Sequence, residues 1–263
     1  MEKIQGAVLI TGGARGLGLE FAHQAASQGA DLVLVNMHMD SLNLAKAELE
    51  LLYQVKVHVF VKDLTLPDAV NSLYYELQAL GIQVEVLINN AGIGEYGAFH
   101  SRPWGNHERL LSLNILALSH LTHLFLADMV LRKRGRILNV SSVAAFVPGP
   151  LMATYYASKA FVLSFSLALA SELKHTGVSC TVLCPGPTRT GFLKDHGQDT
   201  WLSRRNFMAS AKKVAKLGFQ GMMQREMLVV PGAINNIVVR LSSILPPTWG
   251  ARLLHALQKM NRK

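Results

Sequence analysis

The chain predicts a doubly wound parallel α/β sheet with helices on both faces, in one domain spanning residues 1–263. Three observations carry that prediction. Short continuous apolar runs, such as residues 7–10 and 84–88, suit strands buried on both faces of a parallel sheet. Segments with helical spacing of apolar residues alternate with those runs to about residue 190. A glycine-rich turn at 12–18 joins the first run to the first helical segment, making a strand–turn–helix–strand unit. No linker, repeat or low-complexity stretch interrupts the alternation.

Taken in order, residues 7–10 form the first strand and Thr11 to Gly18 the turn. A helix over 20–28 follows, with Phe21, Ala22, Ala25 and Ala26 on one face and Gly29 ending it. Residues 31–35 form the second strand. Asp40 is placed to N-cap a helix through Leu52, and 55–61 is a β-rich run ending before Asp63. A helix over 66–80 has Pro67 in its first turn. Strand four, 84–88, leads into Asn89, Asn90, Ala91 and Gly92. Residues 103–133 read as mainly helical, 136–140 as the fifth strand, and Ser141 and Ser142 stand at its end. A helix over 154–174 and a strand over 178–184 complete the core, broken by Pro185, Gly186 and Pro187. In such sheets ligands sit beyond the carboxyl ends of the strands, where these polar and glycine-rich turns collect. The turn itself, with backbone N–H groups and a helix N-terminus, suits a pyrophosphate.

Composition narrows the function classes. Half of the residues are hydrophobic, enough for a sizeable core, and no charged-then-apolar leader is visible at the start. Cys180 and Cys184 fall four apart on one strand face and read as small core residues, which fits a reduced, cytoplasmic setting. The net charge of +9 is confined to the last quarter: residues 1–198 balance 15 basic against 15 acidic side chains, whereas 199–263 carry 11 against two. That distribution argues against a nucleic-acid binder and for a local basic surface. His120 and His123 lack accompanying ligands and read as surface or interface histidines, so no metal is expected.

Tyr155 and Lys159 lie four apart on one helix face, which holds a phenol beside an ammonium. The cation would lower the phenol pKa and suit it to proton transfer. Chance also supplies this spacing in many helices. The ordered set T-G-x-x-x-G-x-G at 11–18, N-N-A-G at 89–92, Asn114, Ser142, Y-x-x-x-K at 155–159 and P-G at 185–186 resembles the short-chain dehydrogenase/reductase family over about residues 5–192. Within it, 139–149 and 184–190 are most similar to a bacterial branch of broadly annotated reductases.

The resemblance implies a carbonyl–alcohol oxidoreductase using a nicotinamide dinucleotide. Gly12, Gly16 and Gly18, with Ala14, Arg15 and Leu17 between them, would meet the pyrophosphate. Asn36, Asp63 and Leu64 would border the adenosine, Asp63 being alternatively a turn carboxylate. Asn90, Ala91 and Gly92 would line the ribose side. Pro185, Gly186, Thr188 and Thr190 would lie toward the carboxamide, with a plain turn role open for either threonine. Tyr155 would be the general acid, Ser142 would hydrogen-bond the same substrate oxygen, Lys159 would bind the ribose and depress the Tyr155 pKa, and Asn114 would hold a water linked to Lys159. Tyr156 is assigned to packing or the substrate wall.

The second strand ends with Asn36-Met37-His38 and no carboxylate before Asp40, and Arg15 could reach a 2′-phosphate. Both favour NADP(H). Met37, where many NADP-dependent relatives carry a base, and a solvent-facing Arg15 leave NAD(H) open. Past the core, 191–225 reads as a substrate lid and 227–230 as a last strand, and 233–263 forms a basic amphipathic segment. Ile234 to Leu245 is too short to span a bilayer. Residues 249–263 could dock on the core, touch an anionic membrane or receive an acidic carrier. For a small-molecule carbonyl or alcohol substrate, an apolar pocket of lipid-like or acyl type would suit the Met-, Phe- and Leu-rich C-terminal region. The resemblance implies a homo-dimer or homo-tetramer joined through the two long helices. The alternative function class is a dinucleotide-binding regulatory or membrane-surface protein without turnover.

Overall fold

The computed structural model describes residues 3–191 and 208–242. Its centre is a parallel sheet of seven strands in the order β3-β2-β1-β4-β5-β6-β9. These are β1 (Ala7–Thr11), β2 (Leu32–Asn36), β3 (Val57–Val61), β4 (Val84–Asn89), β5 (Gly135–Val140), β6 (Val178–Leu183) and β9 (Leu228–Val229). Two residues each of β7 (Thr188–Arg189) and β8 (Ala209–Ser210) pair separately. The predicted doubly wound sheet is what the chain forms. Alternate residues of β1 point to opposite layers: Val8 and Ile10 pack with α1 (Gly16–Ala26) and α2 (Met39–Tyr53), and Ala7 and Leu9 face the other side. That second layer holds α3 (Ala69–Ala79), α5 (Leu118–Leu131) and α6 (Ala153–Glu172). The strand order reverses direction between β1 and β4, and the crevice at that switch point is where a ligand is expected.

Several boundaries differ from expectation for local reasons. Helix α1 begins at Gly16, not at residue 20, because the end of the glycine turn is already helical. The N-cap of α2 is His38, not Asp40; Asp40 lies inside the first turn, where its charge complements the helix dipole. Residues 66–68 form a turn before α3, since Asp68 takes a left-handed conformation (φ 58°) that no helix continues through. The long segment 103–133 is helical but in three pieces: α4 (Trp104–Leu111), a π-helical turn at Ser112–Ala117 and α5. The run Trp104–Leu131 is long and apolar enough to cross a membrane, yet Leu110, Leu121, Phe125 and Met129 on it are buried in the fold.

The lid expected over 191–225 is corrected in its second half. Ser210 caps α7 (Ala211–Met223) by accepting from the Lys213 N–H at 3.2 Å. Val214, Ala215, Phe219, Met222 and Met223 of α7 are buried in the core layer shared with α1. A side-chain carbon added at Gly218 would lie 2.8 Å from Leu183 and 3.4 Å from Phe21, so the helix sits directly on β6 and α1. Lys212, Lys213 and Lys216 occupy its exposed face. Residues 192–207, the rest of the expected lid, and 243–263, which include most of the basic segment, lie outside the described residues. A last helix, α8 (Ala233–Ser242), follows β9.

Candidate active site

Thr11 ends β1 and joins it to β4. Its Oγ1 accepts from the N–H groups of Asn90 and Ala91, both at 3.0 Å. Asn90 Nδ2 returns bonds to the carbonyls of Thr11 (2.9 Å) and Gly12 (3.3 Å). The glycine turn is then held open at the switch point. Gly12 has φ +64°, and a Cβ at Gly18 would stand 2.1 Å from the Gly12 carbonyl oxygen, so α1 packs where only glycine fits. Arg15 is the extended N-cap of α1, and its side chain makes no capping hydrogen bond. Ala14 is buried beneath the turn, and Leu17 is partly buried. A Cβ at Gly16 would meet Thr190 at 3.4 Å, which brings the 185–190 segment over the turn. A glycine cradle at a helix N-terminus fits a dinucleotide pyrophosphate.

The edge expected to border an adenosine is polar. Asn36 Oδ1 accepts from the Met37 N–H at 2.7 Å. Asp63 Oδ1 accepts from Thr65 N (3.0 Å) and Thr65 Oγ1 (2.7 Å), which is a turn role and leaves Oδ2 toward the slot. Arg109, from α4, donates to that Oδ2 at 3.1 Å and lies 3.3 Å from Met37 Sδ. Burial opposes ionisation of Asp63, but the Thr65 bonds and the Arg109 charge outweigh it and hold the carboxyl below its ordinary pKa. Leu64 is buried beside them. Arg109 was absent from the predicted site; nothing marked it apart from other surface bases on a helix.

The four predicted catalytic side chains converge where β4, β5 and α6 meet. Ser142 begins a short 3-10 turn, Val143–Phe146, its Oγ accepting from Ala144 N at 3.1 Å and donating to Pro185 O at 3.4 Å. It also hydrogen-bonds the Tyr155 phenol. Lys159 is buried and donates to the Val140 carbonyl at 3.0 Å, with its nitrogen 5.8 Å from the Tyr155 ring centre. A Cβ at Gly92 would fall 3.3 Å from Asn114 Oδ1 and 3.4 Å from Lys159 Nζ, so all three crowd one point. Asn114 sits in the π-helical turn, a distortion common at functional sites. Its Oδ1 accepts from Ile93 N (3.0 Å), and its Nδ2 donates to Ile93 O (2.9 Å) and Ser158 Oγ (3.1 Å). The Asn114 side chain thereby tethers the 89–93 loop to α6.

One electrostatic expectation is reversed. Lys159 was expected to depress the Tyr155 pKa. Burial instead pushes the phenol above its ordinary value, only partly offset by the Ser142 bond. Burial also pulls Lys159 down to about 8, against the opposing influence of Cys184. Helical spacing sets neighbours, but desolvation is the largest influence on both groups.

Two serines outside the predicted set complete the support. Ser158 donates to the Tyr155 carbonyl at 2.7 Å, and buried Ser141 donates to the Lys159 carbonyl at 2.7 Å. His107 Nδ1 lies 3.0 Å from Thr154 Oγ1, and its Nε2 lies 3.4 Å from the Phe99 carbonyl. A carbonyl only accepts, so Nε2 carries the proton and the Thr154 hydroxyl donates to Nδ1. Tyr156 packs its ring on Gly149, where a Cβ would come within 2.2 Å, in keeping with a packing role. Thr188 donates to the Gly186 carbonyl at 2.8 Å within its own turn. Cys180 and Cys184 are free and buried, their thiols pushed up to about 12 by burial.

Comparison with known proteins agrees with this arrangement. The family model described as short chain dehydrogenase matches residues 6–201. A very-long-chain 3-oxoacyl-CoA reductase of Bos taurus is 30% identical over 247 residues, covering 92% of this chain and 75% of the bovine one. Among curated relatives the matched stretch spans from 51% to 76% of their length. A short-chain dehydrogenase from Sphingobium yanoikuyae in complex with NADPH superposes with a TM-score of 0.81 at 30% identity, covering 92% of this chain and 96% of that one. One from Burkholderia phymatum in complex with NAD gives 0.81 at 26% identity, covering 92% and 94%. Fold, site and sequence thus agree: the chain belongs to the short-chain dehydrogenase family of oxidoreductases.

Proposed function

We propose that this chain interconverts a carbonyl and a secondary alcohol on an apolar, acyl-type substrate, with NADP(H) preferred over NAD(H). The observation that carries the reading is the convergence of Ser142, Tyr155 and Lys159 beside the glycine cradle. The nicotinamide, when bound, supplies or accepts the hydride. Tyr155 holds the proton at its phenol oxygen, and a phenol kept neutral by burial is ready to donate to a carbonyl oxygen. Ser142, whose hydroxyl already bonds that phenol, donates to the same substrate oxygen as charge develops on it. Lys159 supplies positive charge behind Tyr155 and hydrogen bonds for a ribose. Gly12, Gly16 and Gly18 would hold the pyrophosphate, and Asn90, Ala91, Gly92, Pro185, Gly186, Thr188 and Thr190 the ribose and carboxamide side.

The test follows nicotinamide absorbance over a panel of ketones and 3-oxoacyl thioesters, with Tyr155→Phe beside the parent. Turnover should fall by about 10²–10⁴-fold in the variant, the range of a lost general acid. Cofactor binding should remain. Cofactor binding without turnover of any carbonyl in the parent would favour the silent regulatory alternative instead.

The apolar-substrate reading gains support from α8. Ile234, Ile237, Val238 and Leu241 are exposed there at helical spacing, Ile234 by 75%. The helix packs beside the 3-10 turn that follows Ser142, and a Cβ at Gly186 would lie 2.6 Å from Asn235. An apolar ridge next to the catalytic mouth, followed in sequence by Arg252, Lys259, Arg262 and Lys263, suits a cytoplasmic enzyme resting on an anionic membrane surface. Vesicle co-sedimentation that falls with salt supports this; binding only to an acidic carrier would redirect the basic segment to that partner. Exposed Leu116 and Phe161 on the long helices support homo-oligomer formation.

A further inference from the structure

We infer that Arg109 reads the 2′-phosphate of the cofactor, reaching from α4 across the adenosine slot. This rests on the nicotinamide-dependent reading above and goes past it in naming a phosphate-binding cation from a helix rather than from the end of β2 or the glycine turn. The geometry has three parts. The guanidinium stands 3.3 Å from Met37 Sδ, which puts a permanent positive charge at the carboxyl end of β2. That end is where a dinucleotide's adenosine ribose hydroxyls fall in this fold. Met37 itself carries no charge, and Asn36 uses its Oδ1 on the Met37 N–H, so neither side chain offers a cation there.

The second part is Asp63. A carboxylate beside the adenosine would repel a 2′-phosphate, and Arg109 pairs with its Oδ2 at 3.1 Å. The same carboxylate is fixed from behind by Thr65 through Oδ1, so Asp63 stays in place while Arg109 can turn. The third part is exposure: the Arg109 side chain is 49% exposed and meets Asp63 Oδ2 and Met37 Sδ. An arginine fork in that position can keep one edge on the carboxylate and offer the other to a phosphate, with two charge-assisted bonds. Arg109 thus neutralises Asp63 in the free protein and adds a phosphate contact in the complex.

The test uses fragments that need no turnover. Binding of 2′,5′-ADP and 5′-AMP is measured by calorimetry on the full chain, for the parent, Arg109→Gln, Arg109→Lys and Arg15→Gln. Arg109→Gln should weaken 2′,5′-ADP by about tenfold or more and 5′-AMP by less than about twofold, in line with losing a charge-assisted pair. Arg109→Lys should recover part of the loss. Equal weakening of both fragments would reduce Arg109 to an adenine-side prop and overturn the inference. So would discrimination lost only in Arg15→Gln, or a parent that binds the two fragments equally while still reducing ketones. A parent that binds neither fragment, nor either nicotinamide cofactor, overturns the cofactor reading along with it. Thermal melts of each variant separate these results from misfolding.

Discussion

Lys159 is a buried charge, and its burial comes at a cost to the fold. It is 5% exposed, with the Val140 carbonyl as a bonded acceptor, and burial lowers its pKa from the usual 10.5 to about 8. The folded protein therefore gives up this proton between about pH 8 and 10.5, while the unfolded chain still holds it. Stability must rise with pH across that window, because the unfolded state binds more protons there. A gap of that size corresponds to about 3 kcal/mol. We expect Lys159→Met to abolish turnover yet to be more stable than the parent at pH 7, with the difference shrinking as pH approaches 10.5. Denaturant midpoints of the unliganded proteins from pH 7 to 10.5 measure this, and a difference that stays constant over the window would contradict it. Tyr155 was legible from its spacing to Lys159. The direction in which its pKa moves was not, because spacing along a helix does not report how much water the surrounding layers exclude.

At the scale of elements, α7 separates pattern from packing. Its sequence alternates bases with apolar residues, and an amphipathic lid over the substrate satisfies that pattern as well as a core helix does. The structure buries Phe219 and Met222 against α1 and β6, so the apolar face belongs to the core. Phe219→Ala should then cost about 3–5 kcal/mol in unfolding free energy, the range for large aromatic truncations in cores. Chemical denaturation measures it. A lid residue would instead change KM with little loss of stability, and that outcome would return the helix to the substrate side. The π-helical turn at Ser112–Ala117 makes the complementary point. Asn114 was legible as a member of the motif set, but its bonds to Ile93 and Ser158 span 21 and 44 residues, and they define it as a tether between loop and helix.

At the scale of the whole molecule, the candidate site and a buried charge cluster occupy opposite ends of the sheet. Glu85, near the start of β4, accepts from the N–H groups of Gln5 and Gly6 at 2.8 Å through Oε2. Its Oε1 faces Arg134 Nε at 3.0 Å and Arg136 Nη1 at 3.5 Å, and Arg136 is 2% exposed. Breaking a buried ion pair by removing one partner typically costs about 3–5 kcal/mol. Glu85→Ala should lower the thermal midpoint strongly while leaving KM of the folded enzyme unchanged, since the cluster stands at the amino ends of the strands and the site at their carboxyl ends. A change in KM without loss of stability would assign Glu85 to the site instead.

Strand runs, the glycine turn and the spacing from Ser142 to Lys159 are local patterns, and local patterns can be read along a chain. They sufficed for the α/β class, and the side chains they singled out lie together beside the glycine turn. Arg109 against Asp63, 46 residues apart, and Ser158 against Asn114, 44 apart, depend on how α4 and α6 land on the sheet. So do the reversed Tyr155 shift and the burial of α7. Each is set by desolvation or by contacts between distant segments, terms that exist only once the layers have packed.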